Sequence, residues 1–198
     1  MGMAFTNHET KEINCKIIYF GPSGSGKTEN LRSILRLTLP EAKSGVFSLQ
    51  PKDESSVFFD FLPVSLGHVK GYHIKLHLFS LSLNSPFETT TTLMLKGLDG
   101  YVFVADSRVD YLAENVEALS KMERLLRDQG YNIMDLAKVV QYNKRDVEPR
   151  IPLDVLSREL NPSEAADCEA IAVESVGSIE TLQSMAKQVL RKLAPVPS

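Results

Sequence analysis

The segment Ile17 to Leu31, IIYFGPSGSGKTENL, runs an apolar, β-branched stretch directly into Gly21-Pro22-Ser23-Gly24-Ser25-Gly26-Lys27-Thr28 and out again into a helix-forming run. The pattern G-x-x-x-x-G-K-[ST] between a strand and a helix reads as a phosphate-binding loop, because each part has a physical task. Glycines let successive backbone N–H groups turn inward, and the helix that follows adds its partial positive charge at the same point. The lysine reaches the β/γ oxygens of a nucleotide, and the hydroxyl can ligate Mg²⁺. Gly21, Ser23, Gly24, Ser25, Gly26, Lys27 and Thr28 are therefore the expected phosphate-binding residues, with Thr28 also a metal ligand. A Gly/Ser-rich turn with an incidental lysine would lack the flanking strand and helix.

Beyond this loop the chain alternates strand-like and helix-like patterns, with no repeat and no low-complexity linker. Residues 12–20 read as a strand and 27–38 as a helix with Leu31, Ile34, Leu35 and Thr38 on one face. Further strands are expected at 45–49, 56–62, 72–81, 100–105, 137–142 and 168–173. The last three are short apolar runs, as in parallel strands covered on both faces. Helices are expected at 110–129, where Leu112, Val116, Leu119, Met122 and Leu126 recur at helical spacing, and at 152–160 and 178–193. Strands 56–62 and 72–81 would pair through Gly67 to Gly71 as the one antiparallel hairpin. The expected fold is α/β: a mostly parallel sheet with one antiparallel hairpin and helices on both faces, in a single domain over 1–198.

Composition narrows the function class. A formal net charge of -3 offers no broad basic field, which argues against nucleic acid or a polybasic membrane surface as the partner. Two cysteines, Cys15 and Cys168, in no metal-ligand pattern suit a reducing compartment. No run of about 18 apolar residues and no signal-peptide pattern occur, so the cytoplasm is the expected location. The opening MGMAFT fits the permissive myristoylation pattern, a weak signal by itself. His8, His68, His73 and His77 lack metal-ligand spacing as a set.

A phosphate loop does not choose the base, since kinases and transport ATPases also use this form. The choice lies at KVVQYNKRDV, where an apolar strand ends in Asn143-Lys144-Arg145-Asp146, the N-K-x-D pattern of guanine specificity. An aspartate here would accept the N1–H and N2–H₂ donors of guanine, which adenine does not present in that arrangement. Adenine would leave the carboxylate unpaired. Asn143 would brace base and phosphate loop, and the Lys144 stem would lie along the base plane. GTP or GDP with Mg²⁺ is thus the expected cofactor. Asp106, ending the apolar YVFVAD run, has two readings: a metal-shell carboxylate of an ATPase, or a cap on the loop that follows, the latter favoured by the guanine motif.

The stretches EINCKIIYFGPSGSGKTENL, FFDFLPVSLG, LMLKGLDGYVFVADSR and VVQYNKRD together resemble the MglA group of bacterial Ras-like small GTPases, regulators of gliding motility and cell polarity, over nearly the whole chain. The resemblance implies a Ras-like P-loop NTPase fold and two switch regions read by effectors and by roadblock-type regulatory proteins. It also implies recruitment to cell poles through partners, and a backbone contact to guanine near Val173-Glu174-Ser175, where Ser175 is the assigned residue.

The chain departs from that group where hydrolysis would occur. In the first switch the group reads approximately TDRTLFFDF, with an arginine finger and a Mg²⁺-binding threonine; this chain reads KDESSVFFDF. Ser55 stands in place of the arginine, whose loss costs about 10³ or more in rate, while Ser56 keeps a hydroxyl for the metal. In the second switch TVPGQVFY becomes SLSLNSPF at 80–87, so Leu83 stands for a γ-phosphate-contacting glycine and Asn84 for a water-orienting glutamine. Ser23 adds a side chain where Ras-like proteins usually carry glycine. The expected activity is a guanine-nucleotide switch with slow or absent hydrolysis. The alternatives are a GTPase completed by a partner or, less favoured, a P-loop ATPase or kinase. Glu54 and Arg108 are the residues to test first as replacements, and Thr89 to Thr92 reads as a solvated helix start.

Overall fold

The computed structural model describes residues 5–38, 46–49, 59–81 and 88–193. Glu54, Ser55, Ser56, Leu83 and Asn84 lie outside them, as does the chain start. The strands are β1 (Phe5–Asn7), β2 (Glu12–Phe20), β3 (Phe47–Leu49), β4 (Phe59–Val69), β5 (Tyr72–Leu81), β6 (Gly100–Asp106), β7 (Ala137–Asn143) and β8 (Ala166–Glu169). The helices are α1 (Lys27–Thr38), α2 (Glu88–Leu95), α3 (Leu112–Asp128), α4 (Leu153–Leu160) and α5 (Ser178–Leu193). They build one sheet in the order β3-β4-β5-β2-β6-β7-β8, with β1 on β2. From β5 to β8 every pairing is parallel. β4 and β5 form the expected antiparallel hairpin, and short β1 and β3 add antiparallel pairings beside it.

Alternation along β2 shows how the sheet is buried on both faces. Ile18 and Phe20 pack with Tyr101, Phe103, Val140 and Tyr142 beneath α3 and α4, through Leu119, Met122, Leu126, Leu156 and Leu160. Ile17 and Tyr19 pack with Val102, Val104 and Val139 beneath α1 and α5, through Leu31, Ile34, Leu182, Met185 and Val189. With core on both sides, a continuous apolar run such as YVFVA is what a central parallel strand requires.

Several details differ from the sequence reading. The hairpin turns at Lys70-Gly71, both at positive φ (49° and 81°), which is the two-residue geometry that matches strand twist. Gly67 lies instead within β4 at a register shift between Ser65 and Gly67. The last strand is Ala166–Glu169 rather than 168–173, because the chain leaves the ladder when the Ala172 N–H is taken by the Asn143 side chain at 3.0 Å. On α3 the buried set is Asn115, Leu119, Met122, Leu125 and Leu126, with Val116 facing out. Asn115 turns inward because it donates to the Asp106 carbonyl (2.8 Å) and accepts the Asp106 N–H (2.9 Å). Thr91, expected to be solvated, is buried within α2, and Thr38 on α1 is exposed.

Candidate nucleotide-binding site

The phosphate loop leaves β2 at Gly21 and enters α1 at Lys27, at the carboxyl edge of the sheet. Close backbone approach dictates both flanking glycines. A Cβ at Gly21 would lie 2.2 Å from the Val104 carbonyl oxygen of β6. A Cβ at Gly26, where φ is +102°, would lie 2.2 Å from the Asn143 amide nitrogen. Ser23 and Gly24 are exposed at the tip, while Ser25 is buried with a hydroxyl that finds no partner among the described residues. Beside the tip lies a cavity of about 300 Å³ bounded by Gly21, Pro22 and Ser23 and by Tyr111, Glu114 and Lys121 of the facing segment.

Lys27 folds back into this loop. Its ammonium, only 8% exposed, donates to the carbonyls of Gly21 (3.1 Å) and Pro22 (2.6 Å). Burial pulls it down to about 8, opposed by the Asp60 carboxylate and assisted by Lys144. An incoming anion would restore the charge. The neighbouring Thr28 hydroxyl donates to Oδ2 of Asp60, a fully buried residue of β4. The same oxygen accepts the Ser80 hydroxyl of β5 at 2.6 Å, and Asp60 and Ser80 are cross-strand partners. Asp60 was not among the residues expected from the sequence. Its signal was there: in FDFLPV the alternation that buries Leu62 and Val64 puts an acidic side chain on the same face.

The guanine motif sits where β7 ends, beside β6 and next to the phosphate loop, with Asp106 and Asn143 paired in register. The Asn143 amide joins three segments. Its Nδ2 donates to the Ser25 carbonyl (2.7 Å), and its Oδ1 accepts the Ala172 N–H (3.0 Å) from the loop after β8. The motif backbone adds an Arg145 N–H to Ala170 carbonyl bond at 3.2 Å. Lys144 adopts a left-handed φ of 64° and donates to Asp106 Oδ2 at 2.7 Å. Asp146 is exposed and makes no hydrogen bond or ion pair with the described residues. Ser175, at φ 63°, accepts from Arg36 Nη2 of α1 at 3.2 Å.

Comparison with known proteins supplies the deciding observation. The chain is 39% identical over 191 residues to the mutual gliding-motility protein MglA of Myxococcus xanthus (strain DK1622), covering 96% of this chain and 98% of that protein. The chain belongs to the MglA family of Ras-like small GTPases. No protein-family profile matches it.

Within an MglA-family site, Asp106 is committed elsewhere than to a metal. Its carboxylate is forked by Arg108 (Nε 3.0 Å, Nη2 2.7 Å), receives Lys144, and accepts the Arg108 N–H at 3.1 Å. Burial alone would raise its pKa, but these donors hold it below the usual carboxylate range. Arg108 in turn lies over the Tyr111 ring, 3.9 Å from its centroid. Asp106 therefore caps the loop after β6, as the guanine motif argued, and the ATPase reading loses its carboxylate there.

A second set of residues escaped the sequence reading. Asn30 of α1 donates to Gln141 of β7 (2.7 Å) and accepts from Gln141 and from Ser178 of α5 (2.9 Å each). Gln141 also donates to Thr181 of α5 at 2.9 Å. All four residues are fully buried, so this polar cluster fixes the helix behind the phosphate loop to the strand that carries the guanine motif. Nothing in spacing marks them; their partners lie up to 148 positions apart.

Proposed function

We propose that this chain is a guanine-nucleotide switch of the MglA type, acting in gliding motility or cell polarity through partner proteins, with slow or lost intrinsic GTP hydrolysis. The observation that carries this reading is the Asn143 amide, which ties the phosphate loop at Ser25 to the loop at Ala172 while Asp146 stays open to solvent. That geometry suits a base read by Asp146 and a neighbouring N–H of the 173–175 loop, with the Lys144 stem along its plane. The residue types present also suit the phosphates and Mg²⁺. Lys27, now bonded to two loop carbonyls, would exchange them for β/γ oxygens, and the N–H groups of Gly24, Ser25 and Gly26 would cradle the β-phosphate with Ser23 beside them. Thr28 and Ser56 would supply hydroxyls to the metal. Bound Mg²⁺ neutralises phosphate charge and orients the oxygens.

Hydrolysis needs a positioned water and a cation on the transferring phosphoryl group. Ser55, Leu83 and Asn84 weaken the family's devices for both, leaving a protein that holds GTP without stabilising its transition state. Release of GTP would then be governed by effectors and roadblock-type regulators at the switch segments 48–58 and 80–96. Among the described residues no helix is long and apolar enough to cross a membrane, in keeping with action in the cytoplasm and recruitment to the poles by partners. A single-turnover assay on GTP-loaded protein tests this: phosphate release should be absent or slow alone. Release only on adding a partner would favour a GTPase completed in trans, and rapid release by the isolated chain would overturn the proposal.

A further inference from the structure

We propose that the cavity beside the amino end of β7 is a second ligand site, for a small organic carboxylate held by Lys138 and the Tyr101 hydroxyl. It lies at the edge of the sheet away from the phosphate loop and stands independently of the nucleotide reading. The cavity beside Gly21 and Ser23, by contrast, belongs to the nucleotide site. The second cavity measures about 530 Å³, a size that suits a small molecule. Tyr131, Ile133 and Leu136 form its apolar part, and Glu123, Arg127 and Lys138 its charged part.

Two buried donors here lack an acceptor. Lys138 is only 8% exposed, and Gln188 of α5 fixes its main chain, accepting the Lys138 N–H (3.1 Å) and donating to its carbonyl (2.8 Å). Its ammonium makes no hydrogen bond among the described residues, and its ion pair with Glu123 is 3.7 Å long. Beside it, paired in register on β6, stands Tyr101, fully buried, whose hydroxyl also finds no partner among the described residues. Burial, assisted by Glu123 and opposed by Arg127, holds that phenol above its usual pKa, so it stays a donor. Donors buried without an acceptor cost free energy that a ligand oxygen would recover.

Charge selects the ligand. Among the described residues lining the cavity, Lys138 and Arg127 share the single carboxylate of Glu123, which already takes Arg127 at 3.1 Å. One positive charge is left over, which matches a carboxylate better than a phosphate monoester carrying about -1.5 to -2. Burial lowers the Lys138 pKa, with Glu123 opposing, and an incoming carboxylate would favour the ammonium in the same way. The Tyr131 hydroxyl is committed to the Leu95 carbonyl at 2.8 Å, so Tyr131 offers its ring, with Ile133 and Leu136, to the ligand's apolar body.

The test is an NMR titration of the ¹⁵N-labelled full chain, kept free of carboxylate buffers, with acetate, hexanoate and benzoate, and with benzyl alcohol as a neutral counterpart. At least one carboxylate should bind saturably, with a Kd at or below about 1 mM, and shift the amide signals of residues 131–138. Benzyl alcohol should shift them little. Lys138→Met keeps the stem, removes the charge and leaves Glu123 paired with Arg127; it should weaken carboxylate binding at least about tenfold. Tyr101→Phe removes only the unpartnered hydroxyl and should weaken binding about threefold without lowering thermal stability, a split that a structural role would not produce. The proposal is overturned if none of the three carboxylates binds saturably, if benzyl alcohol binds as tightly, or if Lys138→Met binds as wild type does. If Lys138→Met does not fold, nuclear Overhauser contacts between the bound carboxylate and the Lys138 side chain of unaltered protein decide. Such contacts are expected, and their absence at saturation refutes the site.

Discussion

At the guanine end, Asn143 and Asp106 are tied to their neighbours by hydrogen bonds that a nucleotide has no need to break, while Asp146 is left open. At the phosphate end the opposite holds: the Lys27 ammonium is directed at the carbonyls of Gly21 and Pro22, and the Thr28 hydroxyl at Asp60. On the proposed reading, one half is organised before nucleotide arrives, and the other would exchange Lys27's partners to accept it. A preformed base site lowers the ordering cost of binding, whereas a phosphate site that rearranges can respond to the number of phosphates. Differences between GTP and GDP forms are accordingly expected at the phosphate end and its switch segments.

The largest effect should come from breaking the organised half. Asn143→Ala strips a partner from the Ser25 carbonyl and from the Ala172 N–H, both buried groups, and should lower nucleotide-free stability by about 2–4 kcal/mol in chemical denaturation. A change under about 0.5 kcal/mol would show that the three loops hold together without it. Lys27→Ala should weaken GDP and GTP binding roughly a hundredfold, since charge-assisted bonds of about 1.5–3 kcal/mol each are lost. Guanosine, which has no phosphate, should be indifferent to it.

A smaller effect sharpens the comparison through pH. In the free protein burial lowers Lys27 to about 8, while bound phosphate favours its ammonium and raises that value. Below pH 8 the lysine is charged in both states and affinity is flat. Above it, binding takes up a proton, so GDP affinity should fall by up to about tenfold per unit between pH 8 and 9. Lys27→Arg, which stays charged, should give a flat profile by calorimetry over the same range. Equal slopes for the two would place the titration elsewhere.

What was legible in the sequence was whatever is encoded by near neighbours. The phosphate loop spans eight residues and the guanine motif four, so spacing alone carried them, and the apolar runs of β6 and β7 announced central strands. Long-range partners carried no such mark. Asp60 meets Thr28 only because β4 pairs with β5 and β5 with β2. Asn30 and Gln141 look like ordinary polar residues until α1 and β7 are packed together. Periodicity also misassigned α3 locally: it favoured Val116 over Asn115, because a hydrophobic pattern cannot foresee an amide that satisfies both backbone groups of Asp106. The strand after Ala165 was misjudged in the same way, its end set by a side chain on another loop.

The account turns on Asp146 reading guanine from a preformed site, and base competition tests that most directly. Wild type should bind GDP at least about a thousandfold more tightly than ADP, as sites built on polar pairing discriminate. Asp146→Asn replaces a pure acceptor by a side chain that also donates. It should therefore weaken GDP and strengthen xanthosine diphosphate, whose C2 carbonyl accepts where guanine's amine donates. Comparable affinity of wild type for ADP and GDP, or an Asp146→Asn protein with an unchanged preference for GDP, would contradict it.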